Sequence, residues 1–225
     1  MINLIICGIG ETADLAYEYF THDSDYKVIG YAVSKGFISK KEHNNLPLYA
    51  VEELADNLNP NDIEVFVAIS YTKLNRVRRN IFIQVKSLGF KCASYISSAA
   101  FVWRTAKIGE NCFILENNVI QHNVEIGNNV IIWSGNHIGH QSVVQDHAYI
   151  SSHCVISGFC NVGKQAFLGV NCTINDHISI AEDTIIGSGS IINKSTAKGT
   201  VMISSPATKF IKSSYKTFKV KEDEI

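Results

Sequence analysis

An aliphatic side chain stands at every sixth position from Val102, Ile108 and Ile114 through to Ile186 and Ile192, with no insertion to break the phase. Four residues after most of these comes a small side chain, among them Ala106, Cys112, Val124, Ser142, Ala148, Cys154, Cys160, Ala166, Cys172, Thr184 and Ser190. Asn118, Asn136 and Ile178 interrupt that second register, and glycine follows the aliphatic residue at Gly109, Gly127, Gly139, Gly163, Gly169 and Gly187. Such a period suits neither an α-helix nor a flat amphipathic strand. It does suit a short strand plus a corner: three such units close a triangular coil, with branched side chains stacked inside and small ones filling the corners. Separate hairpins would instead need turn residues at varied spacing. Residues 97–197 are therefore expected to form an all-β parallel β-helix. Its cysteines, Cys112, Cys154, Cys160 and Cys172, sit in the small phase as compact apolar fillers, and no CxxC spacing supports a metal site or disulfides.

Residues 1–96 read differently, as alternating strand and helix. Strands are expected at 3–7, 27–32, 64–69 and 91–96, and helices at 11–22, 51–57 and 73–88. That order predicts a small parallel α/β domain, Rossmann-like, with ligand space at the carboxyl ends of its strands. The first turn, Gly8-Ile9-Gly10-Glu11-Thr12-Ala13, has the form G-x-G-x-x-A and opens a helix. Backbone amides there meet a phosphate well, but the same glycines also serve a plain tight turn, and the motif alone does not separate the two. A nicotinamide dinucleotide would want a carboxylate at the end of the second strand, where this chain has Val33-Ser34. Ser70-Tyr71-Thr72-Lys73 leads into a helix carrying Arg76, Arg78 and Arg79, of which Arg78 and Arg79 are expected to be solvated.

A Gly-rich α/β domain followed directly by an uninterrupted hexapeptide coil resembles the sialic-acid and bacillosamine type of sugar O- and N-acyltransferases. The likeness extends to about Phe210 and includes Gly139-His140-Gln141 and Ala166-Phe167-Leu168-Gly169. It implies a left-handed coil, a homotrimer, a nucleotide-linked sugar (UDP or dTDP) on the first domain, and acetyl-CoA as co-substrate between neighbouring coils, with no metal. His140 takes the place of that family's general base, and Gln141 stands where an acidic residue usually orients it. The substrate-binding set implied is Gly8, Gly10, Thr12, Ser34, Tyr71, Lys73 and His122. The acetyl-CoA set is Phe167, Gly169, Gly187, Lys194 and Pro206, the last within Ser204-Ser205-Pro206-Ala207-Thr208-Lys209.

Other expectations follow from position. His122 precedes His140 by one full coil of 18 residues, so the two should stack. His137, His147, His153 and His177 occupy outward phases, and Asn136 suits a left-handed corner. Trp133, Tyr149 and Phe159 point outward, toward other subunits. The first domain should cover one end of the coil and the tail from Lys212 to Ile225, in the segment 198–225, the other. A net charge of −1 argues against nucleic acid and membrane surfaces as partners. The opening MINLIICGIG lacks the basic flank of a signal peptide, so a cytoplasmic location is expected. The expected function is acetyl-CoA-dependent N-acetylation of a nucleotide-linked amino sugar in bacterial surface glycan synthesis. O-acetylation, acylation of a non-nucleotide acceptor, and a non-catalytic trimeric binding protein remain as alternatives.

Overall fold

The computed structural model describes residues 1–220, so the last five positions of the expected tail lie outside the described residues. The N-terminal sheet is built from β1 (Ile2–Cys7), β2 (Tyr26–Val33), β3 (Glu42–His43), β4 (Leu46–Ala50), β5 (Ile63–Val67) and β6 (Lys91–Cys92), ordered β3-β4-β2-β1-β5-β6. All pairs are parallel except β3 with β4. Helix α1 (Glu11–His22) packs Ala13, Ala16 and Phe20 on one face, while α2 (Leu54–Asn57) and α3 (Arg76–Ser87) pack Leu54, Phe82 and Val85 on the other. The stretch 41–50, expected as loop, contributes β3 and β4. Helix α3 starts three residues later than expected, because Lys73, Leu74 and Asn75 all hold positive φ (51°, 50° and 64°). The buried Asn75 side chain offsets part of that strain by donating to Gln165 O at 3.1 Å and accepting from Arg78 at 3.1 Å.

From Tyr95 to Ile191 a two-residue strand begins every six residues, and each as far as Thr173 pairs in parallel with the strand 18 residues on. Tyr95–Ile96 already pairs with Phe113–Ile114, so the coil begins inside the stretch expected to be the last strand of the first domain. Three sheets form a triangular prism. A docked face runs through Tyr95, Phe113, Ile131, Tyr149 and Phe167, a second through Phe101, Val119, His137 and Val155, and a third through Lys107, Glu125 and Val143. The aliphatic register stacks buried inside from Ile114 to Ile192, with Val102 and Ile108 partly buried at its first coil, and Cys112, Cys154, Cys160 and Cys172 of the small register pack against it. Burial raises the Cys7, Cys92 and Cys112 thiols, as suits inert packing groups. The glycine register marks close approach of successive coils: a Cβ on Gly139 would stand 2.5 Å from the Ser157 carbonyl carbon.

A third register escaped sequence reading. Positive φ recurs every six residues from Asn111 to Gly189, at Asn117, Asn123, Asn129, Gly135, Gln141, His147, His153, Phe159 and their successors. Asparagine and glycine suit this conformation. Asn136 is not part of it: Gly135 takes the left-handed turn, and Asn136 is buried with its backbone N–H on Asn118 Oδ1.

The first domain lies along the docked face instead of capping an end. Tyr95, Phe113, Ile131 and Tyr149 share a core with α1 and the sheet. Tyr149 is thus buried beneath its own chain and Trp133 half-buried, so of the three aromatics expected to seek another subunit Phe159 alone remains exposed. The described tail residues after Val201 are exposed throughout, including α4 (Ser214–Phe218), and do not bury the far end. Arg78 is the largest correction. It is fully buried and donates to carbonyls of Ser70 (2.9 Å), His147 (3.0 Å), Ala148 (3.2 Å) and Asn129 (3.3 Å). Burial pulls its pKa down to about 9, so it stays charged at neutral pH.

Beneath Arg78 a polar ladder joins successive coils. Asn111 Nδ2 donates to Asn129 Oδ1 at 2.9 Å, which leaves Asn129 Nδ2 to face His147 Nδ1 at 2.9 Å. His147 therefore accepts with a neutral ring, and burial chiefly, with Arg78, Arg79 and Lys164 adding, lowers its pKa to about 4. The unfolded chain takes up this proton near pH 6.5, and the fold resists it down to about 4. The stability that depends on neutral His147 is full above pH 6.5 and is lost as pH falls toward 4. His147→Asn, which suits the left-handed corner, should flatten this part of the acid slope in urea unfolding between pH 7 and 5. An unchanged slope would place the sensitivity elsewhere.

Candidate active site

The N-terminus of α1 opens at the carboxyl end of β1. Its N-cap, Gly10, makes no side-chain cap, so the Glu11 and Thr12 amides are free to meet an anion, while the Ala13 N–H already donates to Gly10 O at 2.7 Å. Gly8 and Gly10 differ in kind. Gly8 has φ of 134° and a Cβ there would sit 2.6 Å from Ala68 O, so the turn itself requires glycine. Gly10 has negative φ and open space around its missing side chain, so the fold does not demand glycine there. The turn borders a cleft of about 700 Å³ lined by Gly8, Gly10, Thr12, Ser70, Tyr71, Trp133 and Tyr149. Its coil wall is aromatic: Tyr149 and Phe167 stack at 5.4 Å, and Tyr71 meets both edge-on at 5.1 and 5.0 Å. Burial raises the Tyr149 phenol pKa. Trp133 and Tyr149 are cleft residues that sequence reading assigned to another role.

The expected binding residues divide. Gly8, Gly10, Thr12 and Tyr71 meet at this cleft. Ser34 lines a smaller apolar cavity of about 260 Å³ on the other side of the Gly8–Ile9 turn, with Val33 and Phe37. Lys73 is exposed in the left-handed turn before α3. Phe167 borders the cleft aromatics, while Gly169 and Gly187 belong to the corner after the docked face. There a Cβ on Gly169 would stand 2.6 Å from Ser188 N, so coil spacing requires that glycine. Pro206 is exposed in the tail.

His140 and His122 lie elsewhere, on the corner between the second and third faces, with Gly158, Asp176 and the exposed Lys194 at the same position of later coils. The imidazoles of His122 and His140 stack as expected, at 5.5 Å and 5°. Phe159 meets His140 edge-on at 5.1 Å and stacks on His177 at 4.8 Å. Gln141 occupies the left-handed corner position, with φ of 55°, and is exposed; its backbone N–H donates to His122 O at 3.1 Å. The group that touches the His140 ring nitrogen is Gln121 instead, with Oε1 at 3.3 Å from Nδ1. The i−19 spacing, one coil back, is the signal that would have found it. The first domain covers the docked face and its flanking corners, whereas His140 sits at the opposite corner, so one chain does not bring His140 to the cleft. Among the described residues no cluster of His, Cys, Asp and Glu suits a metal ion, and no helix is long and apolar enough to cross a membrane.

Residues 105–140 match the family described as Bacterial transferase hexapeptide (six repeats). No curated protein matches this sequence. The acetyltransferase domain of PglB from Neisseria gonorrhoeae FA1090 superposes with a TM-score of 0.80 at 21% identity, covering 93% of this chain and 100% of that one. PerB from Caulobacter crescentus, in complex with CoA and GDP-perosamine, gives 0.77 at 22% identity, covering 92% and 96%. WeeI from Acinetobacter baumannii AYE gives 0.75 at 16% identity, covering 92% and 99%. The chain shares the fold of these proteins over nearly its whole length: a Rossmann-like α/β domain laid along a left-handed β-helix of hexapeptide repeats.

Proposed function

We propose that this protein is an acetyl-CoA-dependent N-acetyltransferase acting on a nucleotide-linked amino sugar. The observation that carries this reading is the uncapped N-terminus of α1 opening into a cleft walled by Tyr71, Trp133 and Tyr149. Free amides suit a diphosphate, and aromatic faces suit a base or a sugar ring. The same fold in PerB holds CoA and GDP-perosamine, and a PglB acetyltransferase domain holds acetyl-CoA, which supports the same reactants here.

The chemistry asks little of the protein. The sugar amine attacks the thioester carbonyl carbon, forming the C–N bond, and His140 Nε2 takes the proton that the nitrogen sheds. The tetrahedral intermediate collapses with cleavage of the C–S bond, and the CoA thiolate takes that proton from the imidazolium. An amide and free CoA thiol result, with His140 neutral again.

Because His140 and the cleft occupy opposite parts of one chain, the site is read as shared between copies in a homotrimer. The second face supports this, since it carries the exposed apolar side chains Phe101, Val155 and Ile191, left uncovered among the described residues. Acetyl-CoA turnover against UDP-, dTDP- and GDP-linked sugars, with and without an amine, tests the reading. Amino sugars should gain one acetyl group by mass, and transfer restricted to hydroxyl sugars would overturn the N-acetyl assignment. Gly10→Asp should raise KM for the nucleotide sugar by charge repulsion while keeping or improving α1 stability through capping. Mixed oligomers of Gly10→Asp and His140→Ala chains should recover activity that neither parent shows at low sugar concentration. If they do not, the cleft and His140 of neighbouring copies do not form one site.

A further inference from the structure

We propose that Gln121 is the positioning residue of His140, selecting the ring form in which Nδ1 carries the proton and Nε2 is bare. The proposal rests on His140 being the base in the reading above. Its geometry is independent of that reading.

The backbone N–H of His140 donates to Gln121 Oε1 at 2.9 Å. A backbone amide has no acceptor to offer, so the carboxamide must present its oxygen there, and its orientation is not free to flip. The same oxygen lies 3.3 Å from His140 Nδ1. Lacking a proton, that oxygen can only accept, so Nδ1 must be the N–H of the neutral ring. One proton on the imidazole then leaves a lone pair on Nε2, the atom a base needs.

The ring has little room to turn away from this contact. His122 stacks beneath it, Phe159 meets it edge-on, and a Cβ on Gly158 would stand 2.7 Å from Cε1 and 2.9 Å from Nε2. Phe159 itself holds φ of 57°, an unusual conformation for a bulky residue. The titratable groups around this pocket are His122, His177 behind Phe159, and Asp176, whose Oδ1 accepts from Gly158 N at 2.9 Å. Among the described residues no carboxylate bonds the His140 ring, and the Gln141 side chain makes no hydrogen bond. Gln121 therefore supplies orientation without charge. A glutamate in its place would supply both.

The test is 15N NMR of the full-length protein labelled at histidine, with His140→Asn used to assign the resonance. Wild type should show a protonated Nδ1 and a bare Nε2 at His140. Gln121→Leu should shift the ring toward the Nε2–H form and lower kcat roughly 10–100-fold, with KM for acetyl-CoA little changed. Gln121→Glu should keep the Nδ1–H form, recover most of the turnover, and move both the NMR titration midpoint and the acid limb of kcat/KM to higher pH. An Nε2–H ring in wild type, or an unchanged ring form in Gln121→Leu, overturns the proposal. If the ring forms behave as stated while His140→Asn leaves turnover intact, the positioning role stands and the base assignment fails.

Discussion

Replacing His140 by alanine should lower kcat roughly 10²–10⁴-fold, the usual span for losing a general base. Binding of acetyl-CoA and of nucleotide sugar, measured by calorimetry, should persist. The separation of loss in turnover from loss in binding is expected because the α1 cleft is not built from His140. The fold should survive as well, since the ring lies on a half-exposed corner outside the stacked aliphatic core. A variant that retains wild-type turnover would move the base to another residue. His122 is the first candidate, being stacked on His140 one coil below.

Arg78→Met should cost about 3–5 kcal/mol, because it removes several buried hydrogen bonds from a charged donor, each worth about 1.5–3 kcal/mol. Methionine refills part of the volume but leaves the carbonyls of Ser70, Asn129 and His147 without this donor, while Ala148 O keeps the Ile131 N–H, and an unmet buried acceptor is expensive. For a chain of this length that corresponds to a fall in Tm of about 6–20 °C by calorimetry. Arg78 also ties Ser70, beside Tyr71, to the coil, so KM for the nucleotide sugar should rise as that wall of the cleft loosens. Arg78→Lys should recover only part of the stability, because an ammonium cannot span carbonyls on two sides as the planar guanidinium does. A melting temperature within a degree or two of wild type would show that the two domains are held by their shared apolar core without this clamp.

The coil was legible because its interior is one stack repeated at a single period. A side chain's inward or outward direction follows from its phase, and phase can be counted along the chain. The buried cysteines and the stacking of His122 on His140 both came from that arithmetic. Asn136 shows its limit. Phase placed it near a corner, but which corner residue takes positive φ depends on the exact turn, and Gly135 takes it. The left-handed register from Asn111 to Gly189 was less visible because His, Gln, Asp and Phe share it with asparagine and glycine.

Docking of one domain on the other was not legible at all. Arg78 looks like a surface cation on a helix, and Trp133 and Tyr149 look like outward aromatics on a coil. Their burial results from contact between segments far apart in the chain, for which a one-dimensional pattern has no period. Gln141 misled for a related reason. Adjacency suggested that it would hold His140, but at a left-handed corner the next residue departs from the ring while Gln121, one coil back, lies against it.

The amino-acid pattern alone determined the β-helix, its register and the α/β character of the first domain, since local periodicity decides which side chains turn inward. Tertiary structure decided that the first domain lies along one face, that Arg78 is buried between the two parts, and that the Gly10 cleft and His140 stand on opposite sides of one chain. These outcomes depend on how completed surfaces fit together, a property of the folded whole that no residue's neighbours in sequence encode.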